Sequence, residues 1–201
     1  MVHLDRSDKA RMLESVIEAH RGIPVRGLRV LDIGCGNGDI AVHFSERNRV
    51  TGVDVVDQRR PGADFDFRLV DSALLPFPDD AFDLVLSNHV IEHVPEQETH
   101  LDEMRRVLAP GGLVYLATPN RTSPLMEGHV GNPRVLRWRD MAPLFRSRGF
   151  RPQEMSVDVL ADPTRFHGEV RSARWLPRFL LSVLRPFFPS HIFILEPVAK
   201  G

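Results

Sequence analysis

The sequence predicts an α/β domain built on a doubly wound, mostly parallel β-sheet. Three observations carry this. Short apolar runs alternate with helical stretches between residues 28 and 120. The first run ends in the glycine loop Gly34-Cys35-Gly36-Asn37-Gly38, and the second and third each end in one acidic residue, Asp54 and Asp71. The length, 201 residues, suits a single domain with a core of its own.

The elements follow in chain order. The first 26 residues read as an amphipathic helix with Leu13, Val16 and Ile17 at i, i+3, i+4, closed by Gly22 and Pro24. Residues 27–120 read as a core. Its strands are Leu28 to Ile33, Val50 to Val53, Phe67 to Val70, Asp83 to Ser87 and Leu113 to Ala117. Its helices are Asp39 to Arg47 and Glu96 to Leu108, the latter stopped by Pro110-Gly111-Gly112. Only 12 residues, Val55 to Asp66, join the second and third strands, and Pro61-Gly62 lies among them, so the crossover helix there is very short or missing. Further on, Trp138 to Arg148 reads as a helix ending at Gly149, and Phe150 to Leu160 and Ser190 to Leu195 read as strands.

Composition narrows the function. With 26 basic and 27 acidic residues, the chain as a whole lacks the electrostatic footprint of a nucleic-acid binder. Its one cysteine excludes an intramolecular disulfide and a multi-cysteine zinc site. No apolar run approaches the roughly 20 residues of a membrane span. Residues 1–26 carry charges throughout and no apolar leader segment, so a cytoplasmic protein is expected.

The glycine loop is the most informative stretch. Glycines after a strand let the backbone turn sharply and let a ligand come close. The pattern is G-x-G-x-G, with Asp39 where a dinucleotide fingerprint has its third glycine, and no Lys-Ser or Lys-Thr follows for a phosphate loop. Asp32, two residues before the first glycine, disfavours a pyrophosphate and suits a cationic ligand. Asp54, 18 residues past Gly36, is placed to accept two ribose hydroxyls. Taken alone, Asp54 and Asp71 also fit strand-end turn residues.

Taken together, Val30-Leu31-Asp32-Ile33-Gly34-Cys35-Gly36-Asn37-Gly38, Leu75-Pro76-Phe77, the run Phe82 to Val94 and Leu108-Ala109-Pro110-Gly111-Gly112 resemble class I S-adenosylmethionine-dependent methyltransferases. The branch they most resemble includes the ubiquinone and menaquinone biosynthesis methyltransferases. The resemblance implies a Rossmann-like seven-stranded sheet, parallel except for an antiparallel last strand, here residues 190–196. It implies S-adenosyl-L-methionine as cofactor, held by Asp32, Gly34, Cys35, Gly36, Asp54, Val55, Asp71, Ser72 and Asn88. Within that set Val55 packs against the adenine, Asp71 accepts its amino group and the backbone at Ser72 reaches a ring nitrogen. Residues 121–190 become an acceptor-side lid.

Methyl transfer from a sulfonium releases a neutral thioether, so the enzyme supplies mainly alignment, plus a base where the acceptor is a hydroxyl or phenol. His89 and His93 follow the fourth strand, at the position that faces the methyl group in this family, and His93 is the expected base. A histidine that only orders the loop fits equally, and Glu92 is placed to hold His93 or to position a water. Two histidines without a third ligand make a poor metal site, so no metal is expected. Residues 134–185 hold 11 arginines, no lysine and 5 acids, with aromatics interleaved. Two readings fit: a solvated arginine face, or a surface for an anionic or lipid-linked acceptor or a membrane. The leading function is methylation of a small molecule. A protein or nucleic-acid methyltransferase, a non-catalytic cofactor-binding protein and a nicotinamide dehydrogenase are the other classes, and the charge balance, the Ser87-Asn88-His89-Val90 run and Asp32 argue against the first and last of these.

Overall fold

The computed structural model describes residues 6–71, 73–124, 131–162, 165–166 and 176–198. Ser72 lies outside the described residues. The elements are α1 (Arg6–Arg21), β1 (Arg29–Ile33), α2 (Asp39–Ser45), β2 (Arg49–Asp54), β3 (Asp66–Leu69), β4 (Phe82–Asn88), α3 (Gln97–Val107), β5 (Leu108–Pro119), α4 (Trp138–Ser147), β6 (Phe150–Glu154), α5 (Ser156–Ala161), α6 (Arg178–Leu184) and β7 (Ser190–Pro197), with a 3₁₀ turn at Arg185–Phe187 before the last strand. One seven-stranded sheet runs in the order β3-β2-β1-β4-β5-β7-β6. β7 is antiparallel to both of its neighbours, and the pairs among the first five strands are parallel. This is the doubly wound sheet expected from the sequence.

Alternation along the strands splits the core into two layers. Leu31, Ile33, Val85, Val114 and Leu116 face one side and pack with Leu101, Met104 and Val107 of α3 and Met141 and Phe145 of α4. Val30, Leu84, Leu86 and Tyr115 face the other and pack with Leu13, Val16 and Ile17 of α1 and Ala41 and Phe44 of α2. The switch point falls between β1 and β4, where the strand order reverses.

The link between β2 and β3 has no helix. Phe65 does the filling instead: a Cβ placed on Gly52 would lie 2.5 Å from Phe65 Cε2, and one on Gly38 would lie 2.7 Å from Phe65 Cε1. The Arg59 guanidinium caps this patch, 4.3 Å from the Phe67 ring centre.

Two elements differ from the sequence reading. The Pro110-Gly111-Gly112 stretch does not sit ahead of the fifth strand but inside it. β5 pairs Leu108 with Phe82, loops out, and resumes at Leu113 opposite Leu84. Residues 150–160 are not one strand. β6 ends at Glu154, and Ser156–Ala161 coil into α5. Val157, Leu160 and Ala161, at i, i+3, i+4, pack together against Leu181 and Phe188. The helical spacing was present in the sequence, but the alternating Val157 and Val159 mask it.

Candidate functional site

At the C-terminal ends of the strands a cavity of about 880 Å³ opens, within the range of small-molecule sites. β1 supplies Ile33 and the loop residues Gly34 and Gly36. β2 supplies Val53 and Asp54, continuing into Val55 and Gln58. The loop after β3 supplies Asp71, Leu74 and Leu75. The loop after β4 supplies His89, Val90, His93 and Val94, and the start of α3 closes the wall with Glu96, Thr99 and His100.

The glycine loop takes its shape from positive φ angles at Gly34, Gly36 and Gly38. At Gly34 there is also no room for a side chain: a Cβ would meet Val90 Cγ2 at 2.5 Å. At Gly36 a Cβ would have nothing within 4 Å, so that face is open to a ligand. Asp54 pins the loop. Its Oδ2 accepts the Gly36 N–H at 2.8 Å and its Oδ1 accepts the Val55 N–H at 2.7 Å. A carboxylate has about four acceptor sites, so two remain for ligand hydroxyls.

Six of the residues predicted from the sequence meet at this cavity: Gly34, Gly36, Asp54, Val55, Asp71 and His93. Asp32, Cys35 and Asn88 do not line it. Strand alternation turns Asp32 to the α2 side, where it is 2% exposed and its Oδ2 has no hydrogen-bond partner. Burial, with the nearby Asp54 charge, pushes the Asp32 carboxyl up to about 7, and the Ala41 N–H opposes this. Cys35 is buried against the backbone of Gly52, and burial with both carboxylates pushes its thiol up to about 12. The same alternation carries Asn88 away from the α3 face, and its Oδ1 is buried without a partner.

Glu92 does not hold His93. Its fully buried carboxylate faces His89, with Oε1 3.4 Å from Nδ1, an ion-pair distance beyond good hydrogen-bond geometry. Thr118 Oγ1 donates to Glu92 Oε2 at 3.4 Å. His89 itself adopts φ 59, an uncommon backbone for a residue with a side chain. Sequence reasoning missed Gln58, Thr99 and His100. His100 is 2% exposed, and burial lowers it to about 4, so it is neutral at physiological pH. Its position one turn before the buried Met104 was the signal that α3 turns it inward. No described residue of 121–190 lines this cavity. Leu136, Asp140 and Leu144 instead border an adjoining depression that shares Pro95, Glu96 and Thr99 with it.

The electrostatic character of the wall is one-sided. Asp54, Asp71 and Glu96 line it, and no lysine or arginine does among the described residues. A model of the methyltransferase domain family matches residues 31–116, which run from β1 through most of β5. Over residues 31–116 the chain is similar to methyltransferase domains.

Curated relatives match a longer stretch of the chain. A ubiquinone biosynthesis O-methyltransferase of Rhizobium rhizogenes is 34% identical over 152 residues, covering 69% of this chain and 60% of the relative. One of a Caulobacter species is 33% identical over 159 residues, covering 72% and 62%. The chain thus spans about 60% of the length of the curated relatives it matches. Among solved structures, the [4+2]-cyclase SpnF superposes with a TM-score of 0.65 at 21% identity, covering 94% of this chain and 81% of the other. The Burkholderia thailandensis 1,6-didemethyltoxoflavin-N1-methyltransferase, solved with S-adenosylhomocysteine, gives 0.62 at 21% identity, covering 96% and 80%. At these identities the two structures share the fold.

Proposed function

We propose that this chain is an S-adenosyl-L-methionine-dependent methyltransferase acting on the oxygen of a small-molecule acceptor. The carrying observation is the charge of the cavity wall: three acidic residues, Asp54, Asp71 and Glu96, line it, and no lysine or arginine does among the described residues. That wall suits a ligand that is cationic and free of phosphate. Bound there, the cofactor would supply an electrophilic methyl group on its sulfonium. Asp54 holds the ribose hydroxyls with the lone pairs left over from Gly36 and Val55. Val55 and Leu74, both more than half exposed, cover the base, and Asp71 accepts its amino group. The cavity fits this molecule in size and chemistry.

The acceptor occupies the side lined by His89, His93, Glu96 and Thr99. His93, exposed at the mouth, takes the acceptor's proton. A specific observation supports a second base: the buried Glu92 carboxyl stands behind His89, its Oε1 3.4 Å from Nδ1. The oxygen assignment rests on the names of the curated relatives. The test is transfer of a labelled methyl group to phenols and catechols by wild type, His93→Ala and His89→Ala. Wild type turns over, and loss of the base lowers kcat by about 100-fold while cofactor affinity holds. Cofactor binding without transfer to any acceptor overturns the enzymatic reading, and full turnover in both variants removes histidine from it.

A further inference from the structure

The α6 helix and the 3₁₀ turn after it present an apolar ridge to solvent. Phe179 is 71% exposed, Val183 58% and Phe187 52%, with Leu180 and Leu184 beside them. The positions i, i+1, i+4, i+5 and i+8 form one face of a continuous helical path. Its opposite face is accounted for: Leu181 and Phe188 are buried on Val157, Leu160 and Ala161. Single exposed apolar residues need no explanation, but five on one ridge do.

Among the described residues near the ridge, arginines outnumber unpaired acids. Asn120, fully buried, ties three segments together. Its Nδ2 donates to the carbonyls of Pro186 and Phe188, and its Oδ1 accepts the N–H of Thr122 and of Trp138. Ser123 Oγ donates to the Phe187 carbonyl at 2.7 Å, and the Arg121 N–H donates to the Leu136 carbonyl. These bonds hold the segments that carry the exposed Arg121, Arg137 and Arg139 against the turn that carries Phe187. Of the described acids on the α5 side, Glu154 and Asp158 are paired with Arg185 and Arg178, and the exposed Asp162 at the end of α5 accepts the Arg165 backbone N–H. Asp140 is the exposed acid beside Arg139.

We infer that the α6–3₁₀ ridge docks the protein on an anionic lipid surface, with Phe179, Val183 and Phe187 entering the interface and Arg121, Arg137 and Arg139 meeting the headgroups. An apolar helical face with flanking arginines has the chemistry of an interfacial anchor, and the charge selects anionic lipid. Position adds meaning. The ridge lies past the C-terminal end of β5, whose Thr118 contacts Glu92 at the edge of the cavity loop. Docking would bring the cavity end of the sheet toward a bilayer that holds an apolar acceptor, a step that rests on the methyltransferase reading.

The test is sedimentation of the full chain with phosphatidylglycerol vesicles and with phosphatidylcholine vesicles. Wild type sediments with the first, less with the second, and is released by salt. Phe179→Ser/Phe187→Ser, and separately Arg121→Gln/Arg137→Gln/Arg139→Gln, each lower the vesicle affinity by about tenfold or more. Because these side chains are exposed, both variants keep the wild-type melting temperature and S-adenosylmethionine affinity. No sedimentation, equal binding to both vesicles, or unchanged binding in the serine variant overturns the proposal. So does a wild-type dimer in light scattering that the serine variant turns into monomer, which would make the ridge an interface between copies. Failure to bind S-adenosylmethionine with or without vesicles overturns the methyltransferase reading and leaves the lipid result standing.

Discussion

Asp32→Asn isolates the buried charge behind the cavity. The folded-state carboxyl is raised from 3.8 to about 7, first by burial and then by Asp54. The folded protein therefore keeps a proton that the unfolded chain has already released, and stability falls as pH rises through this window. Between about pH 5 and about pH 8 the linkage amounts to about 2–3 kcal/mol. The assay is urea unfolding of wild type and Asp32→Asn across that range. The wild-type curve falls relative to the variant's by this amount, and Asp54→Asn flattens it in part, because one cause of the shift is gone. Wild-type and Asp32→Asn curves that run parallel would refute the reasoning, since the other titrating groups are common to both.

Three further outcomes follow from the geometry. Gly34→Ala sets a side chain 2.5 Å from Val90 at φ +66, and thermal melts should show a loss of about 1–3 kcal/mol together with weakened cofactor binding. Glu103 Oε2 accepts the Leu75 N–H at 2.8 Å behind the cavity wall, so Glu103→Ala should cost about 1–3 kcal/mol in denaturant titrations. Arg106 holds that carboxyl below the usual range, so its contribution is present above the ordinary glutamate pKa and disappears as acid protonates it; equal wild-type and variant stability at neutral pH would count against this role. His100→Phe removes the buried Nε2, which has no partner, and should leave stability at neutral pH within about 1 kcal/mol of wild type while changing acceptor KM; a collapse in stability would show a structural role instead.

Much of this site was legible in the sequence because its signals are local. The spacing of Gly34, Gly36 and Asp54 follows from a strand, a tight turn and a second parallel strand in register, with Ile33 opposite Val53. What was not legible depends on which way side chains turn. The resemblance implies Asp32 and Asn88 as cofactor residues, and alternation turns the side chains of both to the α2 face of the sheet, away from the cavity lining. The sequence places Glu92 to hold His93 or to position a water; in the fold the positive φ at His89 brings that other histidine to it. α5 was hidden by the alternating valines at 157 and 159, and its helical face mattered only once α6 covered it. The exposed ridge of α6 is not legible in the sequence, because exposure is a property of the packed chain.

Calorimetry of this chain with S-adenosylmethionine, alongside NAD, weighs the cavity assignment most directly. One saturable site for S-adenosylmethionine, none for NAD, and at least about tenfold weaker binding in Asp54→Ala are the outcomes the wall of carboxylates requires. Heat from NAD alone, or wild-type affinity in Asp54→Ala, would contradict it.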